Sequence, residues 1–124
     1  MSSQVEHEEQ AQRNETFFQA LDKTVSVNRE WIVTAAFYVA LHWVEAYFDN
    51  QYNFHPKSHD MRNTAVMRFL SIANEYSKLH RASREARYLM HRFTVKEVED
   101  LINLSYEPVK NFVQNVLHPP PPSP

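Results

Sequence analysis

The chain has 124 residues, 43% hydrophobic and 23% charged, with a formal net charge of −2 and neither glycine nor cysteine. That length and balance fit one ordinary globular domain. The absent glycines exclude Gly-rich phosphate loops and disfavour tight hairpins, while the absent cysteines exclude disulfides, thiol catalysis and Cys-ligated zinc.

With hairpins disfavoured, an all-α chain is expected. The first segment, about Val5 to Lys23, reads as a charged amphipathic helix with acidic first turns and an apolar end at Phe17, Phe18 and Leu21. Asn28 is placed to cap a second helix. From Trp31 to Phe48 that helix is apolar except at Thr34, His42 and Glu45. Such a run sits at the lower edge of membrane-spanning length, but His42 and Glu45 are costly in lipid. A helix apolar all round fits the centre of a bundle better, or a subunit interface.

Residues 49–60, "DNQYNFHPKSHD", form a break. Either Ser58 caps the next helix or Pro56 occupies its first position. That third helix runs to about Leu70, with Met61, Ala65, Val66 and Phe69 expected inward. A fourth follows from about Ile72 to Arg92 with no breaker between them, so a kink is as compatible as a loop. In the fifth, Thr94 and Glu97 have capping-box spacing, and Pro108 is expected to kink or divide the helix. Five amphipathic helices with short connections describe an up-and-down bundle over residues 1–118. Residues 119–124 are expected to be a disordered proline-rich tail.

Charge is unevenly distributed. Lys57 to Lys96 carries nine basic and three acidic residues, and the remainder four basic and twelve acidic. This fits either one basic surface or acidic helices paired with a basic one. At about 100° per residue, Ile72, Tyr76, Leu79, Ser83, Ala86 and Met90 form the core stripe of the fourth helix. His80, Arg84, Arg87 and His91 then line one flank, roughly 60–120° from that stripe. Arg81 and Arg92 face outward.

Histidine supplies a general acid or base near neutral pH, and arginine grips phosphate bidentately. RNA carries its own nucleophile, the 2′-hydroxyl, so the row is suited to metal-free RNA chemistry. It equally suits arginines paired with acids such as Glu45. A His/carboxylate metal set drawn from His42, Glu45, His55, His59 and Asp60 lacks a second ExxH or an HExxH, and His55 precedes a proline. No metal and no cofactor are expected. The start "MSSQVEHEEQAQRNE" has neither the basic start nor the apolar run of a signal peptide, and the expected location is cytoplasmic.

The blocks "WIVTAAFYVALHWVEAYF", "HPKSHDMR", "YSKLHRASREARY" and "FTVKEVEDL", in this order, resemble small prokaryotic HEPN-like proteins (higher eukaryotes and prokaryotes nucleotide-binding). The resemblance covers about Asn28 to Leu117. It implies a helical bundle, commonly dimeric. Many HEPN proteins are metal-independent ribonucleases of toxin–antitoxin and defence systems, and others are inactive partners that bind RNA or nucleotides. Their nuclease motif is arginine, four to six residues, then histidine. Arg84 and His91 match it, which makes them the expected catalytic pair. Glu85 departs from the Asn, Asp or His that often follows the motif arginine in active members. Arg87, His80, His59, Arg62 and Tyr88 are the expected substrate-binding residues. The implied function is RNA binding, with metal-independent endoribonuclease activity as its catalytic form, in a homodimer. The alternative is a non-catalytic dimerisation module or a nucleotide-binding partner of a nucleotidyltransferase antitoxin.

Overall fold

The computed structural model describes residues 3–89 and 91–122. It is an all-α, up-and-down bundle: α1 (Gln4–Gln19), α2 (Ser26–Tyr52), α3 (His59–Phe69), α4 (Ala73–Tyr88) and a last helix, α5. Helix α5 is continuous from 95 to 117, with α-helical Val95–Leu101, π-helical Ile102–Tyr106 and α-helical Glu107–Leu117.

Local chemistry sets most of the starts. Ser3 and Glu6 make a capping box for α1, and Thr94 and Glu97 make the expected one for α5. Ser58, of the two candidates, caps α3 by accepting from the Met61 amide. Asn28 is not the cap of α2. The helix begins two residues earlier, after Val25, and Asn28 lies in its first turn, donating back to the Asp22 carbonyl. Helix α2 ends at Asn53, whose left-handed backbone (φ 48°) is the single positive φ among the described residues. Asparagine tolerates that region better than most residues, and it closes the helix where glycine is commonest.

Pro108 neither divides nor ends α5. A proline ring clashes with the carbonyl four residues earlier and offers no amide. Here the preceding turn widens, so that the Glu107 amide reaches the Ile102 carbonyl five residues back. Pro108 then sits in the first turn of the final α-helical stretch, where its missing donor costs little.

Helix α2 is the central element, packed against α1, α4 and α5. Ile32, Val33, Phe37, Val39, Trp43, Val44 and Phe48 are buried along it, joined by Phe18, Tyr76, Leu79, Val98, Tyr106 and Val113 from around the bundle. By length and composition α2 could cross a membrane, yet 67% of its most apolar window is buried inside the bundle. Two of the largest core side chains, Trp43 and Tyr106, carry polar tips that find partners. Trp43 Nε1 donates to the Tyr106 hydroxyl (3.3 Å), which itself donates to Glu15, and Lys110 closes on Glu15 at 2.8 Å.

Two expectations about inward faces fail. Ala65 and Val66 of α3 are buried, but Met61 and Phe69 are exposed, as is Phe17 of α1. With Tyr52, Phe48 and Phe54, Met61 and Phe69 instead line an open groove of about 570 Å³ outside α3. Helix α4 also stops earlier than expected, at Tyr88, and the chain folds back so that the His91 amide donates to the Glu85 carbonyl at 3.2 Å. The α4 stripe is otherwise as expected, with Tyr76, Leu79 and Ser83 buried and Ala86 partly so. Met90 lies outside the described residues, as do 123 and 124 of the proline tail.

Candidate functional site

A line of polar side chains crosses the bundle from the α1–α2 interface to the outer side of α4. It begins at His7 of α1, which has 10% of its side chain exposed. His7 Nε2 lies 3.1 Å from Glu45 Oε2, and His7 Nδ1 lies 3.0 Å from His42 Nδ1. His42 and Glu45 are one turn apart on α2, so they share the face that α1 covers. On the other side of Glu45, Arg62 of α3 donates to Oε1 from Nε at 2.9 Å and from Nη2 at 2.5 Å. Arg62 is itself 8% exposed. A part-buried carboxylate thus has a fixed cation on one oxygen and an imidazole on the other.

Arg62 carries the line outward. Its Nη1 donates to His59 Nδ1 at 3.1 Å. The His59 ring stacks on His80 of α4, with centroids 5.2 Å apart and planes within 26°. His80 stacks in turn on Phe37, at 4.8 Å and 16°. Asn63 Nδ2 donates to His80 Nδ1 at 3.1 Å. Beyond His80, Arg87 is held by the Tyr38 hydroxyl (2.7 Å) and the Ser83 carbonyl (3.2 Å), and its guanidinium lies over the Tyr38 and Tyr88 rings. Arg84, exposed, lines a hollow of about 390 Å³ with Ser77, His80, Arg81 and Tyr88.

The electrostatics follow from burial and from the arginines. All four histidines on the line have pKa values lowered from 6.5. Burial is the first cause at each. At His42 the neighbouring His7 adds to it, at His59 Arg62 and Arg87 do, and at His80 His59, Arg84 and Arg87 do. At His7, Glu45 pulls the other way without overcoming burial. The imidazoles are therefore neutral at pH 7, and their partners fix the tautomers. His7 gives its Nε2 proton to Glu45, which leaves Nδ1 to accept from His42. His59 accepts at Nδ1 from Arg62, which can only donate, and so carries its proton on Nε2; with the Asn63 amide turned to donate, His80 does the same. Among the described residues neither of those Nε2 atoms has a hydrogen-bond partner.

The residues expected at the site separate accordingly. His59, Arg62, His80 and Arg87 come together within this one chain, and Arg84 and Tyr88 border them. His91 stands apart. Because α4 ends at Tyr88, His91 is off the helical row altogether, pairing with Glu97 at 3.3 Å and lying edge-on to Phe93. The carboxylate Glu45 does pair with an arginine, but with Arg62 of α3 rather than one from α4. Among the described residues Arg81, Arg84 and Arg92 form no ion pair, so the basic segment is partly surface and partly paired.

Reasoning from sequence missed His7, Tyr38 and Asn63. Nothing in the local pattern around His7 marks it, since its partners are 35 and 38 residues away. Asn63 was readable in principle, one residue after Arg62 and one turn along α3 from His59. No known protein family, curated protein or solved structure matches this chain.

Proposed function

We propose that this chain is a HEPN-like RNA-binding protein that holds the phosphate backbone on the ledge formed by His59, His80, Arg84 and Arg87. One observation carries the reading. Two stacked neutral imidazoles have their Nδ1 atoms filled from inside the protein, by Arg62 and Asn63, which leaves two Nε2 protons to donate beside two arginines. N–H donors and guanidinium groups are what phosphate oxygens accept from. The exposed Tyr88 ring, 5.0 Å from the Arg87 guanidinium, offers a surface for a base to stack on.

The same geometry supports binding ahead of cleavage. A general base needs a free imidazole lone pair, and both Nδ1 atoms on the ledge are already engaged. His91, the motif histidine, is engaged with Glu97 instead. Endoribonuclease activity in a toxin–antitoxin or defence setting, with Arg84 and His91 as its pair, belongs to this proposal as its catalytic form. That form requires His91 to leave Glu97. A homodimer in the cytoplasm also belongs to it. The apolar groove of Tyr52, Met61 and Phe69 supports a second copy as occupant. Its rim carries Asp60 and Arg68 at opposite ends of α3, so an antiparallel pair of α3 helices sets each acid against the other copy's base.

The test uses labelled single-stranded RNA in EDTA, read by anisotropy and by gel, beside an Arg84→Ala/Arg87→Ala variant. Salt-dependent binding that the variant loses supports the reading, and cleavage that His91→Ala abolishes extends it to the catalytic form. No binding at low salt by either protein refutes it and leaves the dimerisation module or nucleotidyltransferase partner. For the dimer, a monomeric mass at micromolar concentration in light scattering overturns the groove assignment.

A further inference from the structure

The inner end of the polar line carries a second inference, independent of RNA. His7, His42 and Glu45 each offer one ligand atom, and these three atoms lie within 4.8 Å of one another. We propose that they form a transition-metal site of the two-histidine, one-carboxylate type, suited to Zn²⁺, between α1 and α2.

Several features of the cluster fit an ion. The ligand types are those zinc takes when a fourth position stays open to water. Two imidazole Nδ1 atoms face each other at 3.0 Å, an approach that needs a cation, or the single proton now between them, to be favourable. Zn–N bonds of about 2.0–2.1 Å bring two ligand nitrogens nearly this close. A bound ion would move that proton to His42 Nε2, which has no hydrogen-bond partner among the described residues, while His7 would keep its own proton on Nε2 and release Glu45 Oε2 to the ion, so that both rings stay neutral. Glu45 is already oriented, because Arg62 holds Oε1 and turns Oε2 toward His7 Nε2; His42 faces the other nitrogen of that ring, so the His7 ring would turn to bring Nδ1 between Glu45 and His42. An anchored outer partner of this kind is what ligating carboxylates and imidazoles ordinarily have. Arg62 also neutralises part of the carboxylate, which weakens the hold on the ion and favours the more tightly bound metals over Mg²⁺ or Ca²⁺.

The position gives the ion something to do. His7 is on α1, while His42 and Glu45 are on α2, so binding cross-links the first helix to the central one. The folded state alone assembles the three ligands, and the ion therefore raises thermal stability.

The test titrates the untagged full chain with Co²⁺ and then Zn²⁺ after chelation. The expected result is a visible Co²⁺ absorption band saturating at one ion per chain, its displacement by Zn²⁺, and a rise in melting temperature with either ion. His42→Gln and Glu45→Gln, which keep polar contacts but ligate poorly, are expected to lose both band and rise. A His55→Ala/His118→Ala variant, which removes two other histidine–carboxylate pairs, is expected to keep them. Where a ligand variant fails to fold by circular dichroism, paramagnetic shifts of the His7 and His42 ring protons in the wild-type Co²⁺ form decide. No band in the wild type, no shift at those rings, or binding lost only in the His55/His118 variant overturns the site and leaves a hydrogen-bonded relay.

Discussion

The two ends of the polar line use the same residue types to opposite effect. At the inner end, His7, His42, Glu45 and Arg62 turn most of their donors and acceptors toward one another. At the outer end, His59, His80, Arg84 and Arg87 are supported from behind and keep donors to spare. The difference is one of covering. Helix α1 closes over the inner end, and nothing among the described residues covers α4 at Arg84. Composition alone does not separate an enclosed histidine–arginine cluster from one that faces solvent, whereas counting unspent donors does.

The comparison breaks most sharply at Arg62. Replacing it with alanine leaves the part-buried Glu45 without its cation and His59 Nδ1 without its donor. Losing one partner of a fully buried pair costs about 3–5 kcal/mol, and this part-buried pair is expected at the lower end of that range; urea unfolding is the measurement. Arg62→Ala leaving stability unchanged would show that the inner end is not a structural pair at all.

Acidification acts on both ends. His7, His42, His59 and His80 have folded pKa values below 6.5, so the unfolded chain binds protons first. Their contribution is fully present above the unfolded value of 6.5 and is lost progressively as pH falls through the folded values. Around His59 and His80 the facing charges are Arg62 and Asp60 of α3, Glu45 of α2, and Arg84 and Arg87 of α4. The cations there oppose a further positive charge. The melting temperature is expected to fall from pH 7.5 to pH 5, with a shallower fall in a His59→Gln/His80→Gln variant. Equal slopes for the two proteins would remove the outer histidines from the account.

Arg87 stands between the two behaviours, since it is anchored yet partly exposed. Arg87→Ala loses the Tyr38 and Ser83 bonds and is expected to cost about 1 kcal/mol, together with weaker RNA binding. Arg84→Ala is the smallest change to the fold, within about 0.5 kcal/mol, because the side chain is exposed and unpaired among the described residues. Its effect belongs to the ligand. The salt dependence of RNA affinity is expected to drop by roughly one phosphate contact. A stability loss at Arg84 as large as that at Arg62 would erase the distinction between the two ends.

How far the sequence reaches follows the same division between local and distant causes. The helices were legible because their signals are local: no glycine, alternating apolar faces, Ser58 before α3, Thr94 three residues before Glu97. Helical phasing found the α4 stripe and put His80 and Arg87 beside it. It carried His91 too far, because no breaker residue announces the stop after Tyr88. It also misread Met61 and Phe69, since an apolar residue on α3 can face a groove as readily as a core. Periodicity tells which residues share a face but not which helix lies opposite. His7 against His42, and Arg62 against Glu45, are pairings across helices, so only the fold reveals them.

The centrality of α2 has a consequence during synthesis. Its apolar surface is covered on one side by α1, made before it, and on the others by α4 and α5, made after it. At about 5–20 residues per second, a ribosome needs roughly 3–13 s to pass from the end of α2 to the end of α5. For that interval the most apolar helix of the chain is only partly sheltered. Transiently exposed apolar surface of this kind is what makes partly folded chains prone to aggregation.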